Sequence, residues 1–228
     1  MKAQIYNLII LDRSGSMYEI KKEAINGYNE TLGTIKAAQL KYLDTQEHFV
    51  SLAAFCACGV DMIYDKVPAK DADRLDGRKY EPCCGTPLYD AIGKTCKQLK
   101  NHIKDNPNAN VVVTIITDGY ENSSKEWNGL AVKKLIEELK EEGWMFSFIG
   151  SEGDVEKIAL QISITNTIQW TKTSAGTQQM FEDENNARGR HYQRLNEMCA
   201  PGSAPMSAEE LREQKKKISR NYFNKEVK

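Results

Sequence analysis

The chain has 228 residues, with 31 Lys and Arg against 32 Asp and Glu, for a formal net charge of -1. That balance gives no overall field to draw it onto nucleic acid or an anionic membrane surface. Apolar residues make up 40% and charged residues 28%, an ordinary globular composition with room for a substantial core, and no apolar run reaches the roughly 18–20 residues of a membrane-spanning helix.

Lys2 and the apolar run after it imitate a secretory signal, but the run contains Tyr6 and Asn7 and stops at Asp12 with no small-residue cleavage pattern. A cytoplasmic location is therefore expected. The six cysteines, Cys56, Cys58, Cys83, Cys84, Cys96 and Cys199, are expected as reduced thiols rather than a disulfide framework. Tyr6–Leu11 reads as a buried strand, short and continuously apolar, which runs into Asp12-Arg13-Ser14-Gly15-Ser16. Phe49 to Val67 has the pattern of a hairpin with its turn near Gly59, and it carries Cys56 and Cys58. Next come Cys83-Cys84 and Gly85-Thr86-Pro87, a loop before a helix that begins near Leu88 and holds Cys96 in its core.

Val111–Thr117 is a second buried strand, ending in Asp118-Gly119. Ser123-Ser124-Lys125-Glu126 has the form of a capping box, opening a helix whose Leu130, Leu135, Ile136 and Leu139 lead to a terminator at Gly143. Met145–Ile149 is a third buried strand and Thr167–Trp170 a weak last one. Strands alternating with helices imply an α/β fold with a mostly parallel sheet, helices on both faces and one antiparallel edge from the hairpin. The domain is expected over residues 1–199. Ala200–Pro205 is a breaker-rich linker, followed by a charged helix from Ser207 with the basic run Lys215–Lys217. From Ser207 onward seven Lys and Arg face four Asp and Glu, the composition of a solvated tail.

Ligands of an open parallel sheet bind beyond the carboxyl ends of its strands, and Asp12, Ser14, Ser16 and Asp118 all leave strands at such ends. With Thr86 they make an oxygen-only set of two carboxylates and three hydroxyls. That set suits a hard cation, Mg²⁺ first and Mn²⁺ or Ca²⁺ after it, and is a poor match for zinc. Two carboxylates just neutralise a divalent ion, while hydroxyls add ligands without charge, so the ion stays attractive to a further carboxylate from a partner.

These three separated pieces resemble the metal-ion-dependent adhesion site (MIDAS) of the von Willebrand factor A family, with all five pattern positions filled by Asp12, Ser14, Ser16, Thr86 and Asp118. CCGTPLYDAI resembles the family's threonine loop, and VVVTIITDGYENSS its fourth strand and the loop after it. The resemblance covers roughly residues 4 to 170, with 171 to 198 as a last helix. It implies a doubly wound, Rossmann-like three-layer fold around a six-stranded sheet. It also implies that Ser14 and Ser16 bind the metal directly and Thr86 directly or through water, while Asp12 and Asp118 hold waters and hydroxyls. The open coordination position takes an Asp or Glu of a protein partner. Cys83-Cys84 departs from the small residues usual before the loop's glycine.

Each motif also has a plainer reading. Asp12–Ser16 alone would suit a helix cap; Thr86 and Asp118 decide for a metal. A magnesium-dependent phosphoryl-transfer hydrolase of haloacid-dehalogenase type is the competing function, but Ser14 stands where such enzymes carry the carboxylate that protonates the leaving group. No phosphate-binding glycine loop is present, and His48, His102 and His191 are isolated, so no enzyme is expected. Tyr18, Tyr89 and Tyr120 neighbour the motif pieces and are candidates for a partner-binding rim. Cys56, Cys58, Cys83 and Cys84 form a candidate thiol cluster, able to bind zinc or form a redox-sensitive bridge, or simply to pack as small apolar residues. Asp90 reads as a surface or capping carboxylate, not a ligand. The expected function is an adaptor domain that binds a protein partner's Asp or Glu through a divalent cation.

Overall fold

Apolar residues on alternate sides of the first strand feed two different layers. In the computed structural model, which describes residues 2–151, 155–199 and 206–223, strand β1 (Ala3–Asp12) sends Ile5, Ile9 and Leu11 to one face of a sheet and Tyr6, Leu8 and Ile10 to the other. Burial on both faces marks a strand in the middle of a sheet covered on both sides.

Helix α1 (Lys21–Lys41) covers the first face and leads to β2 (Gln46–Cys56), which lies parallel to β1. Strand β3 (Gly59–Pro68) turns back antiparallel on β2, and Gly59, at φ +143°, makes the tight turn that a residue with a Cβ resists. A long loop and α2 (Leu88–Ile103) on the second face bring the chain to β4 (Ala109–Thr117), parallel to β1 on its other side. Then follow α3 (Gly129–Glu141), β5 (Met145–Gly150), α4 (Val155–Gln161), β6 (Thr167–Gln169) and α5 (Ser174–Cys199), the last returning to the first face against α1. The sheet has six strands in the order β3-β2-β1-β4-β5-β6. This is the doubly wound α/β fold with one antiparallel edge strand that the pattern implies. The loop after β1 departs toward the α1 face and the loop after β4 toward the α3 face, so a crevice opens between them at the carboxyl end of the sheet.

Two local expectations need correction. Helix α3 starts at Gly129, capped by the Asn128 side chain accepting from the Ala131 N–H at 2.9 Å, and not at Ser123–Glu126. The reason is competition for the backbone: Glu121 accepts the N–H groups of Ser123 and Ser124, and Asp90 accepts those of Lys125, Glu126 and Trp127. With those donors taken, the segment is a clamped loop. Leu130 is 64% exposed, and the buried face of the helix is Val132, Ile136 and Leu139. Gly143 does end the helix, at φ +89°.

The linker Ala200–Pro205 and the Cys199 side chain lie outside the described residues. Helix α6 (Ala208–Arg220) opens at Ser207 with a complete capping box to Glu210. Its charged face is exposed as expected, but the segment is not a free tail: Lys215 Nζ donates to the Ala109 carbonyl at 2.9 Å, where β4 begins, and Tyr222 is fully buried. The net charge of the segment hid three residues, Ile218, Tyr222 and Phe223, that join the α1/α5 core.

Beneath α5 lies a closed polar cluster. The Arg188 guanidinium, fully buried, pairs with Glu184 at 2.7 Å and donates to Thr114 Oγ1 at 2.8 Å and Asn7 Oδ1 at 3.1 Å. Tyr192 donates to Asn7 Oδ1 at 2.5 Å and Tyr222 to Glu184 Oε1 at 2.8 Å. Every charge in it has several partners, the condition under which a buried ion pair is tolerated.

Candidate metal centre

The five oxygen-bearing residues come from three loops at the carboxyl end of β1 and β4. Asp12, the last residue of β1, is fully buried; one oxygen accepts from the Ser14 N–H at 2.7 Å and the other from Thr117 Oγ1 at 2.6 Å. Burial raises its carboxyl to about 6, against the lowering effect of those hydrogen bonds, and the nearby Asp118 charge adds to the rise. Its backbone carbonyl receives the hydroxyl of the buried Tyr80 at 2.5 Å. Asp12 is thus a rigid organiser of the loop, aimed at Ser14 and at Thr117 of β4.

Ser14 is buried, Ser16 is exposed, and their hydroxyl oxygens stand 3.1 Å apart. Ser16 Oγ donates to Asp118 Oδ1 at 2.7 Å. Thr86 is buried on the third loop, and Gly119 lies beside it. A Cβ at Gly119 would come within 3.3 Å of Thr86 Oγ1 and 4.0 Å of Ser16 Oγ, so the glycine keeps open the space those two hydroxyls share. Among the described residues Asp118 Oδ2 receives no hydrogen bond of good geometry, and the Lys172 ammonium faces it at 2.9 Å. Lys172 also donates to the Ser16 carbonyl and pairs with Glu19 at 3.3 Å. Burial disfavours its charge, but these acceptors outweigh burial and hold its pKa above the usual lysine value.

A cationic group therefore stands against Asp118 and Ser16, at the edge of a cradle built of hydroxyls and carboxylates. The donor set fits a hard divalent cation: all ligating atoms are oxygens, two are charged, and the one carboxylate oxygen left without a hydrogen bond is offered to a positive charge.

The threonine loop is held by residues that the motif pattern does not contain. Asn122 accepts from the Thr86 N–H at 2.8 Å and donates its own N–H to the Thr86 carbonyl at 3.1 Å. Glu121 accepts from the Tyr89 N–H at 2.8 Å, and Ser124 Oγ from the Asp90 N–H at 3.0 Å. Asp90 is buried, and its three backbone bonds at 2.8–2.9 Å make it a clamp between α2 and the loop after Asp118. Burial opposes its charge, but those N–H groups and the Lys94 charge prevail and lower its pKa. Asp90 carries a sequence signal only as a carboxylate in the first turn of a helix and Glu121 only as one in a polar loop; Lys172, 54 residues beyond Asp118, carries none.

Of the three tyrosines, Tyr18 and Tyr120 are 66% and 57% exposed, whereas Tyr89 is half-buried, its ring against Gly129 and the α2/α3 core. The sulfurs do gather: Cys56 Sγ is 3.3 Å from Cys83 Sγ, and Cys58 Sγ is 3.9 Å from Cys83 and 3.3 Å from Cys84. They adjoin the oxygen site, since Gly15 N–H bonds the Cys84 carbonyl at 3.0 Å and Cys83 N–H the Arg13 carbonyl at 2.9 Å. Cys96 is buried in α2, away from them.

No family model matches this sequence, and no curated protein matches it either. Solved structures do. The pilus adhesin SpaC from Lactobacillus rhamnosus GG superposes with a TM-score of 0.60 at 13% identity, over 86% of this chain and 31% of that one. Proximal thread matrix protein 1 from the mussel byssus, solved with a zinc-occupied MIDAS motif, gives 0.55 at 16% identity, over 79% and 47%. The manganese-loaded TRAP protein of Plasmodium vivax gives 0.51 at 15% identity, over 77% and 72%. The shared property is the fold. The chain spans about a third to a half of the length of the first two.

Proposed function

We propose that this chain is a von Willebrand factor A-type domain that binds a protein partner through a divalent cation, Mg²⁺ by preference with Mn²⁺ or Ca²⁺ as substitutes, held by Ser14, Ser16, Thr86 and Asp118 with Asp12 as organiser. The observation that carries this is the convergence of the Ser14, Ser16 and Asp118 oxygens at 2.7–3.1 Å, with the Asp118 oxygen that lacks a hydrogen bond turned to a cationic group. Two of the similar folds were solved with a metal, one of them in a MIDAS motif, which agrees with the reading.

When bound, the ion supplies a Lewis-acidic site for an oxygen ligand, and a carboxylate of the partner is the group that suits it. The chain's own residues do the rest. Asp12 fixes the Ser14 loop, and Asn122 and Asp90 hold Thr86 beside Asp118. Lys172 neutralises Asp118 and has to withdraw when another cation takes its place. Tyr18 and Tyr120, exposed next to the cradle, supply contact area for the partner. Ser14 stands where a phosphoryl-transfer enzyme would carry its proton-donating carboxylate, so the reading is of binding without turnover, and the cytoplasmic location expected from the sequence is kept as part of this proposal.

The test is capture of partners on immobilised protein in Mg²⁺, in EDTA, and with Asp12→Ala. Proteins retained only by the wild type in Mg²⁺ are the expected result. Retention unaffected by EDTA and by the substitution would refute metal-dependent recognition, and magnesium-dependent hydrolysis of a model phosphate ester that is lost in Asp12→Ala would replace it with phosphoryl transfer.

A further inference from the structure

The geometry points to a second metal site, a tetrathiolate centre for Zn²⁺ formed by Cys56, Cys58, Cys83 and Cys84, distinct in position and chemistry from the oxygen cradle. The sulfurs of Cys56, Cys58 and Cys83 lie within 4.8 Å of one another, and Cys84 joins through Cys58 at 3.3 Å. A zinc ion bonded to four thiolates at about 2.3 Å has tetrahedral edges of about 3.8 Å between sulfurs. Three of the six sulfur–sulfur separations, 3.3, 3.3 and 3.9 Å, bracket that edge, whereas a disulfide requires contact at about 2.05 Å. Soft sulfur ligands select zinc over the hard cations that suit the cradle.

The backbone is shaped to bring these sulfurs together. Cys56 ends β2 and Cys58 sits in the hairpin turn closed by Gly59. Side chains of consecutive residues normally diverge, but Cys84 has φ +61°, the left-handed conformation that a non-glycine residue adopts at a cost, and both Cys83 and Cys84 reach Cys58. Ala57 N–H bonds the Gly85 carbonyl at 2.9 Å, fixing the hairpin turn to the threonine loop.

Binding would exchange four thiol protons for one Zn²⁺ and leave a centre of net charge -2. Two groups already face Cys56 Sγ to offset that charge: the Cys58 backbone N–H and, at 3.7 Å, the Arg13 guanidinium, itself anchored to Asp61 at 2.5 Å. Such N–H groups around the sulfurs hold and tune a thiolate site. The centre would staple the β2–β3 turn to the loop that carries Thr86, two residues beyond Cys84.

The test titrates Co²⁺, then Zn²⁺, into reduced, metal-free protein. One equivalent of Co²⁺ should give the near-ultraviolet thiolate-to-metal band and the visible bands of a tetrahedral sulfur site, and Zn²⁺ should abolish them. The bands should vanish in Cys58→Ser/Cys83→Ser and persist in Ser14→Ala/Asp118→Ala, which separates this site from the oxygen cradle. Cys84→Ser, at an exposed position, serves as the variant whose fold is checked by circular dichroism, and it should weaken the bands while keeping the fold. Absence of the bands in reduced wild type, their survival in Cys58→Ser/Cys83→Ser, or recovery of Cys56–Cys83 and Cys58–Cys84 disulfides from a reducing cytoplasm would overturn the proposal.

Discussion

Strands β1 and β4 bring polar residues together at two levels, one in mid-strand and one where the strands end, and the two levels are resolved in opposite ways. Asn7 and Thr114 sit in the buried cluster around Arg188 and Glu184, where every charge is met by fixed groups. Asp12 and Asp118 sit at the rim, where Asp118 is neutralised by a lysine on a flexible stem. The closed cluster has no exit for any of its charges and acts on stability. The rim holds its charge in a form that can be exchanged, so of these two regions it is the one that an outside cation can enter.

The largest effect expected from this contrast is in the closed cluster. Arg188→Met leaves Glu184 buried without its cation and should cost about 3–5 kcal/mol in urea unfolding, while Arg188→Met/Glu184→Leu should cost markedly less. A neutral single variant would break the distinction. At the rim, the cation at about a hundred times its Kd should stabilise the wild type by about 2.7 kcal/mol. In Asp118→Asn that increment should vanish, with stability in EDTA little changed. Thermal unfolding with EDTA, Mg²⁺, Mn²⁺ and Ca²⁺ reads both quantities.

Acid should attack the closed region. His48 and His191 are buried, and burial, then the Arg188 charge, lowers both to about 3 from 6.5; Arg194 adds to the effect on His191. Below pH 6.5 the unfolded chain therefore binds protons that the native one refuses. Stability is full above that value and falls as pH drops toward 3, by roughly 1–2 kcal/mol per histidine between pH 7 and 5. His191→Gln should flatten the pH dependence of urea midpoints; an unchanged slope would clear the histidine. The smallest effect sharpens the rim. Lys172→Met removes the competing ammonium and should tighten divalent-ion binding about tenfold, or ~1.4 kcal/mol, by calorimetry; weaker binding would show that Lys172 supports the cradle.

The sheet was legible because β1, β4 and β5 are continuous apolar runs ending in turn residues, and burial on both faces is the physical cause of that pattern. The five oxygen-bearing residues were legible as fragments, and the fold supplies their meeting point. Besides the docked C-terminal segment, three things were hidden. Helix α3 starts late because Glu121 nearby and Asp90 from the preceding helix consume the N–H groups of residues 123–127. The Arg188 cluster was hidden because a charged residue in a polar helix reads as solvated until its depth is known. Lys172 was hidden because nothing local distinguishes it from any surface lysine.

Tyr222 bears on the order in which the molecule is made. A nascent chain that has emerged as far as Cys199 already holds all six strands and the Arg188–Glu184 pair, yet Glu184 still lacks the hydroxyl that Tyr222 brings from 38 residues downstream. A segment made after all six strands thus completes the middle of the protein. Chains ending at residue 199 are expected to be cut by protease faster than the full chain, and faster than a full chain carrying Tyr18→Ala, which alters the exposed rim alone.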